Sequence, residues 1–289
     1  MSARVTPSVW YIVLAPFATL ILVGLGSVEG LLVLLFSHLI LLATTLIPSL
    51  QGFGPVITYF DQDGDEVWLT IDDGPDPQTT PAILDLLDRF GAKATFFVIG
   101  QKARNASALV QTILDRGHSI GNHTQTHPQF RFWSLGPRRL RREIDSFEKT
   151  MAGLGLPIPY LFRAPTGMKN PFLHPILSVR NLRLVGWSAR AYDTRVKDAA
   201  KAAERLLRSV EPGAIVLLHD CSPVSLPTLE ILLQELRHQQ LRSVIPRPER
   251  LRAKRSDRKY LDYEPSCATF WGWRSITQSW HRLCKKDLK

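Results

Sequence analysis

The chain has 289 residues, enough for one catalytic-sized domain with something added and too few for three. Hydrophobic residues at 45%, charged ones at 21% and aromatics at 9% exclude a disordered, collagen-like or disulfide-stapled chain, and Cys221, Cys267 and Cys284 lack the spacing of a structural zinc site. The formal charge of +10 is uneven: residues 1–50 contain only Arg4 and Glu29, whereas 247–289 hold twelve Lys or Arg against five Asp or Glu, so the basic character belongs to the tail and implies no nucleic-acid partner.

Two apolar stretches come first, Val9–Gly26 with 18 residues and Leu31–Leu50 with 20. Each approaches the roughly 20 residues that a helix needs to cross a ~30 Å hydrocarbon core. A cleaved signal peptide has a shorter apolar region, a more basic start and no second apolar run. The pattern therefore predicts a two-span hairpin turning at Ser27–Gly30, with residues 1–55 as a membrane segment. His38 lies inside the second span, where an ionisable group is a functional candidate; the plainer expectation is a neutral imidazole bonded to the neighbouring helix.

From residue 56 the pattern alternates strand and helix. Glu66–Ile71 reads as a buried strand running into Asp72-Asp73-Gly74-Pro75. A helix follows, with Thr79 or Thr80 as cap, Pro81 in its first turn and Gly91 as its stop. Further strands are expected at 94–99, 119–120, 160–162, 182–187, 215–218 and 243–245, with helices near 106–116, 138–153, 171–180, 197–209 and 226–239. Such alternation predicts a largely parallel sheet, open or barrel-like, over 56–246. Asp72, Asp73, His123, Arg163, Asp193 and His219 all fall at or just after strand ends, which converge on one mouth in a barrel.

His123-Thr-Gln-Thr-His127 offers two imidazoles four residues apart, a spacing that a helical turn would bring to one face. A carboxylate from the Asp72-Asp73 pair would complete a His, His, Asp set that leaves room for water and substrate on a divalent metal. Zinc is the first expectation, and cobalt, nickel or manganese suit the same donors.

These residues also carry a family resemblance. Leu69-Thr-Ile-Asp-Asp-Gly-Pro75 and Gly121-Asn-His-Thr-Gln-Thr-His127 resemble the first two motifs of the polysaccharide deacetylase (NodB-homology) family of carbohydrate esterases. Phe162-Arg-Ala-Pro-Thr-Gly167 resembles the third, Trp187-Ser-Ala-Arg-Ala-Tyr-Asp193 a degenerate fourth and Ile215-Val-Leu-Leu-His219 the fifth. The resemblance spans about 64–246 and implies an irregular (β/α) barrel that removes an acyl group, usually acetyl, from a 2-amino sugar.

By that resemblance Asp73, His123 and His127 would hold the metal, Asp72 would be the general base, and His219 the general acid that protonates the departing amine. Arg163 would pair with Asp72, and Asp193 with His219. The Thr166 backbone N–H would stabilise the oxyanion, and Leu217 would line the pocket for the acyl methyl. Read without the family, Arg163 could be a surface ion pair and Leu217 a plain core residue; His118 and Asn122 read as supports of the second motif. Two departures touch the substrate groove: Thr166 replaces the frequent aromatic of the third motif, and Thr194 the usual Trp of the fourth.

The implied enzyme is a metal-dependent N-deacylase of an amino-sugar glycan or glycolipid, with membrane lipid as its other partner and no obligate protein partner. The alternatives are a deacetylase of chitin-like or peptidoglycan polymer and, in another class, an inactive carbohydrate-binding membrane protein. Phe270, Trp273, Ile276, Trp280 and Leu283 recur at spacings of three and four, so within the basic, aromatic 247–289 tail residues 269–286 predict a helix lying on a membrane surface. Arg4, with no Lys or Arg in the expected hairpin turn, places the catalytic domain on the cytoplasmic face.

Overall fold

Alternating side chains on three strands divide the region from residue 56 onward into an outer and an inner apolar layer. In this computed structural model, residues 7–26 and 28–253 are described, with side chains from Leu14 onward, and all lie in the unit Met1–Asp257. The expected interfacial helix at 269–286 falls outside the described residues.

The chain begins with α1 (Pro7–Gly24) and α2 (Val28–Leu46), joined by a turn at Leu25 and Gly26. Gly30 lies within α2, so the turn comes earlier than expected. A Cβ on Gly30 would stand 2.7 Å from Leu22 Cβ, so the missing side chain is what lets the two helices touch. The second helix stops at Leu46 rather than Leu50, two residues before Pro48. Among the described residues α2 is the one helix long and apolar enough to cross a membrane, and Leu14–Gly24 makes a shorter apolar helix. Phe17, Leu20, Ile21, Leu32, Leu35, Phe36 and Leu39 are all exposed on this pair. His38 is also exposed, and its Nδ1–H donates to Leu34 O of its own helix at 2.8 Å, not to the neighbouring helix.

The sheet-forming region follows as β1 (Tyr59–Phe60), β2 (Glu66–Asp72), α3 (Thr80–Arg89), β3 (Ala94–Val98), α4 (Gly100–Asn105), α5 (Ser107–Asp115) and β4 (Ser119–Asn122). Then come α6 (Pro137–Gly153), β5 (Leu161–Phe162), α7 (Leu173–Val179), β6 (Arg183–Leu184), β7 (Ala189–Arg190) and α8 (Ala199–Leu207). The unit closes with β8 (Ile215–His219), α9 (Ser225–His238), β9 (Arg242–Ser243) and β10 (Leu251–Arg252). The strands pair in parallel in the order β6-β5-β4-β3-β2-β8-β7, with β9 added beside β2, so the sheet is a curled half-barrel.

Along β2, Val67, Leu69 and Ile71 join Phe96, Val98, Val216, Leu218 and the apolar faces of α3 and α9. The alternate residues point inward: Trp68 packs with Phe60, Phe97, Leu161, Ile215 and Leu251, and Asp72 lies at the strand's C-terminal end. The barrel is therefore plugged at one end and polar at the other. The stretch 57–60 spans the gap between the sheet edges, with Ile57 N–H donating to Leu184 O at 2.8 Å and Phe60 N–H to Gly213 O at 3.2 Å. Leu251 pairs with Phe60 and is fully buried, so the folded unit runs past the boundary expected at residue 246.

Candidate active site

Asp72 and His219 are register partners on the adjacent strands β2 and β8, which sets two candidate proton carriers side by side at one end of the sheet. The chain turns sharply after Asp72: Asp73 takes φ 71°, a left-handed conformation uncommon outside glycine. Consecutive carboxylates thereby meet different partners. Asp72 Oδ1 accepts from Arg163 Nη1 at 2.7 Å, whereas Asp73 Oδ1 lies 3.3 Å from His123 Nε2 and 3.1 Å from His127 Nε2.

The two histidines do not ride on a helical turn, which corrects the expectation from their spacing. His123 follows β4 directly, and residues 123–128 form a loop in which Thr124 (φ 67°) and His127 (φ 52°) are both left-handed. That reversal brings the ring centroids to 4.7 Å. His123 Nδ1–H donates to Arg163 O at 2.9 Å, which fixes the tautomer and leaves the Nε2 lone pair facing Asp73. Ligand atoms of Asp73, His123 and His127 lie within 4.8 Å of one another. Asp73 Oδ1 is buried without a well-directed hydrogen bond from a described residue. An orphaned buried carboxylate oxygen facing two imidazole nitrogens is the donor set a divalent cation would satisfy.

The electrostatics agree. Burial opposes ionisation of Asp73, but the adjacent His123 imidazole outweighs it and holds the carboxyl below its ordinary value. Burial brings His127 down to about 4, so this imidazole is neutral and ready to ligate at neutral pH.

Arg163 is fully buried and is no surface pair. Besides Asp72 it donates to Thr70 Oγ1 at 2.8 Å and to Gly186 O at 2.8 Å, and its guanidinium sits 4.2 Å from the Phe97 ring centroid. Held on these sides, it fixes the Asp72 carboxylate in one orientation. Asp193 does the matching work for His219: Oδ1 accepts from His219 Nδ1 at 2.8 Å and Oδ2 from its backbone N–H at 2.7 Å, while the Ser225 hydroxyl also donates to Oδ2. Burial alone would lower the pKa of His219; the bond and charge of Asp193, with the charges of Asp72 and Asp73, raise it instead.

Thr166 is left-handed (φ 56°) in a short 3-10 turn, Pro165–Gly167, and its N–H donates to no other described residue. Leu217 is buried on the same face of β8 as His219, two residues below it. Asn122 Oδ1 accepts from Thr124 N–H within the second motif. His118 lies at the opposite, N-terminal end of β4, where its Nδ1 accepts from Ala94 N–H. Thr79 precedes α3 but does not cap it; its hydroxyl, like that of Thr80, donates to Asp220.

Two supporting carboxylates escape a sequence reading. Glu143 on α6 accepts from the backbone N–H groups of Gln125 and Thr126 and from the Thr126 hydroxyl, thereby gripping the loop between the two histidines. Nothing in the polar face of α6 distinguishes it from the other charged residues there. Asp220 directly follows His219, a position that could have drawn attention; its N–H donates to Asp72 O at 2.7 Å and its carboxylate is buried against Thr79 and Thr80.

A family profile described as polysaccharide deacetylase matches residues 61–185. The chitooligosaccharide deacetylase of Rhizobium leguminosarum bv. phaseoli is 37% identical over 189 residues, 62% of this chain and 80% of the relative. The peptidoglycan-N-acetylglucosamine deacetylase PgdA of Listeria monocytogenes is 32% identical over 171 residues, 59% of this chain and 36% of that longer protein. Among solved structures, a family 4 carbohydrate esterase from Streptomyces lividans, in complex with acetate, superposes with a TM-score of 0.60 at 29% identity, covering 65% of this chain and 97% of that one.

Proposed function

The chain belongs to the polysaccharide deacetylase family, and from that premise we propose that it is a metal-dependent N-deacetylase of an amino-sugar glycoconjugate, held at a membrane by its N-terminal helix pair. The observation that carries this reading is one arrangement: Asp72 and His219 on adjacent strands, each locked by its own buried partner, beside the Asp73, His123 and His127 donor set.

A divalent ion held by Asp73, His123 and His127 would supply Lewis-acid polarisation of the amide carbonyl and of the attacking water. The protein's own groups do the rest. Asp72, oriented by Arg163, accepts a proton from the water as it attacks the acyl carbon. The Thr166 N–H donates to the oxygen on which negative charge develops. His219, kept protonated by Asp193, delivers a proton to the sugar nitrogen, because an amine anion is too basic to leave near neutral pH. Leu217, below His219, offers an apolar wall to the acyl methyl.

Chitooligosaccharide and peptidoglycan are the substrates in the names of the relatives, and both are candidates here. A lipid-linked amino sugar is favoured by a different feature. The Lys169 ammonium donates to Ile47 O, Pro48 O and Leu50 O at 2.7 to 2.8 Å, so the end of the helix pair is fastened three residues from Thr166. The inactive binding-protein reading is disfavoured because base, acid and all three metal donors are present together. Amine release from N-acetylated chitooligosaccharide by chelated and zinc-restored protein tests the reaction: turnover only in the restored sample is expected, and no turnover in either would overturn it.

A further inference from the structure

Arg190 is a cation inside the barrel mouth that the reaction above does not use. It lies on β7 opposite Leu217 of β8, and parallel partners point to the same face, so its side chain shares the inner face with Leu217 and His219. Its neighbours Ala189 and Ala191 pack outward against the helices, as that alternation requires. The guanidinium stands 5.2 Å from the Trp187 ring centroid and 4.7 Å from that of Tyr192. Its Nε is buried and has no hydrogen-bond partner among the described residues.

Among the described residues Arg190 pairs with no carboxylate, and the nearby acids are engaged elsewhere. Asp193 gives both oxygens to His219 and Ser225, and Asp72 gives Oδ1 to Arg163. A half-buried guanidinium beside two aromatic rings, with an unmet donor, is a ready contact for an anion. The wall on which it sits continues to the helix pair. A Cβ on Gly167 would meet the Trp187 ring at 2.5 Å and Pro48 at 2.6 Å, so one glycine separates Arg190's aromatic neighbour from the end of the hairpin.

We propose that Arg190 binds an anionic group attached to the amino sugar, and that the preferred substrate carries its sugar through a phosphoryl linkage. This rests on the deacetylase reading and names its substrate class. The phosphoryl source is favoured over a sugar carboxylate because the wall leads from Arg190 to the end of the apolar helix pair, where a lipid tail would enter a bilayer.

The test uses full-length, zinc-loaded protein in detergent with three probes: a dodecyl phosphodiester of N-acetylglucosamine, an N-acetylated disaccharide bearing a carboxylate, and neutral triacetylchitotriose. In Arg190→Gln the ratio of kcat/KM for the phosphodiester to that for chitotriose should fall about tenfold or more, through KM, with Arg190→Lys recovering part of it. The same ratio for the carboxylate probe should fall less. Methyl phosphate should inhibit chitotriose turnover competitively in the unsubstituted protein and lose that effect in Arg190→Gln. Equal losses on all three probes would make Arg190 structural, and a larger loss on the carboxylate probe would make the substrate a uronic or lactyl sugar; either overturns the proposal. If no probe is turned over, the deacetylase reading fails, and calorimetric binding of the phosphodiester to the two proteins still decides the role of Arg190.

Discussion

Two neighbouring aspartates meet different partners because the backbone reverses between them, and the proposed division of ligation from proton transfer rests on that reversal. Asp73→Ala, His123→Ala and His127→Ala should each lose bound metal and activity, whereas Asp72→Asn should retain metal and lose turnover; metal content by mass spectrometry beside amine release checks the split, and metal loss in Asp72→Asn would reverse the roles. Arg163→Met should instead fail by stability, because it leaves Asp72 buried without its cation, at a cost of about 3–5 kcal/mol. A thermal or denaturant melt reads that loss directly. In the proposed reaction His219 acts protonated, so the rate should fall as pH rises through its pKa, which Asp193 raises. Asp193→Asn should therefore move the alkaline limb of the pH–rate profile to lower pH; an unmoved limb would remove Asp193 from this role.

At the scale of elements, the second-motif loop is shaped by a helix remote in sequence. Glu143→Gln weakens the acceptor for two backbone N–H groups between His123 and His127, and zinc affinity should fall roughly tenfold, in line with losses of supporting groups at metal sites. A competition titration with a chromophoric chelator would show it, and unchanged affinity would mean that the loop holds its shape unaided. Lys169 performs a comparable service for the helix pair, joining 47–50 to the third-motif loop. Lys169→Met leaves three carbonyls without that donor, a cost of about 1–3 kcal/mol for each that stays dry. Proteolytic cleavage within 47–55 should become faster in the variant than in the parent; equal rates would show that packing, not the ammonium, holds this junction.

The described residues join an apolar helix pair to a half-barrel whose polar end lies beside it. If the pair is a two-span hairpin, a tag after Lys289 should resist protease added outside intact cells and become sensitive once they are lysed, with the catalytic domain cytoplasmic. Cleavage from outside would reverse that topology and favour an external polymer as substrate.

Much of this plan was legible in the sequence, for reasons of period and chemistry. The apolar runs of β2 and β8, the helical stretches of α6 and α9, and acids and imidazoles placed just after strands are local patterns, and they located Asp72, Asp73, His123 and His219. What the sequence could not decide depends on contacts between distant segments or on backbone signs that residue type does not dictate. The left-handed turns at Asp73, Thr124 and His127, in place of a helical HxxxH, bring the donors together. Glu143, Asp220 and Lys169 acquire their roles only when a helix, a strand end and a loop are folded onto the site. Arg190 differs from the surface arginines solely because β7 pairs with β8 in the register that turns it inward. The sequence by itself determined the chemistry available at each position; the tertiary structure decided which groups share a buried space, because distance and desolvation, not identity, set what a carboxylate or a guanidinium can do.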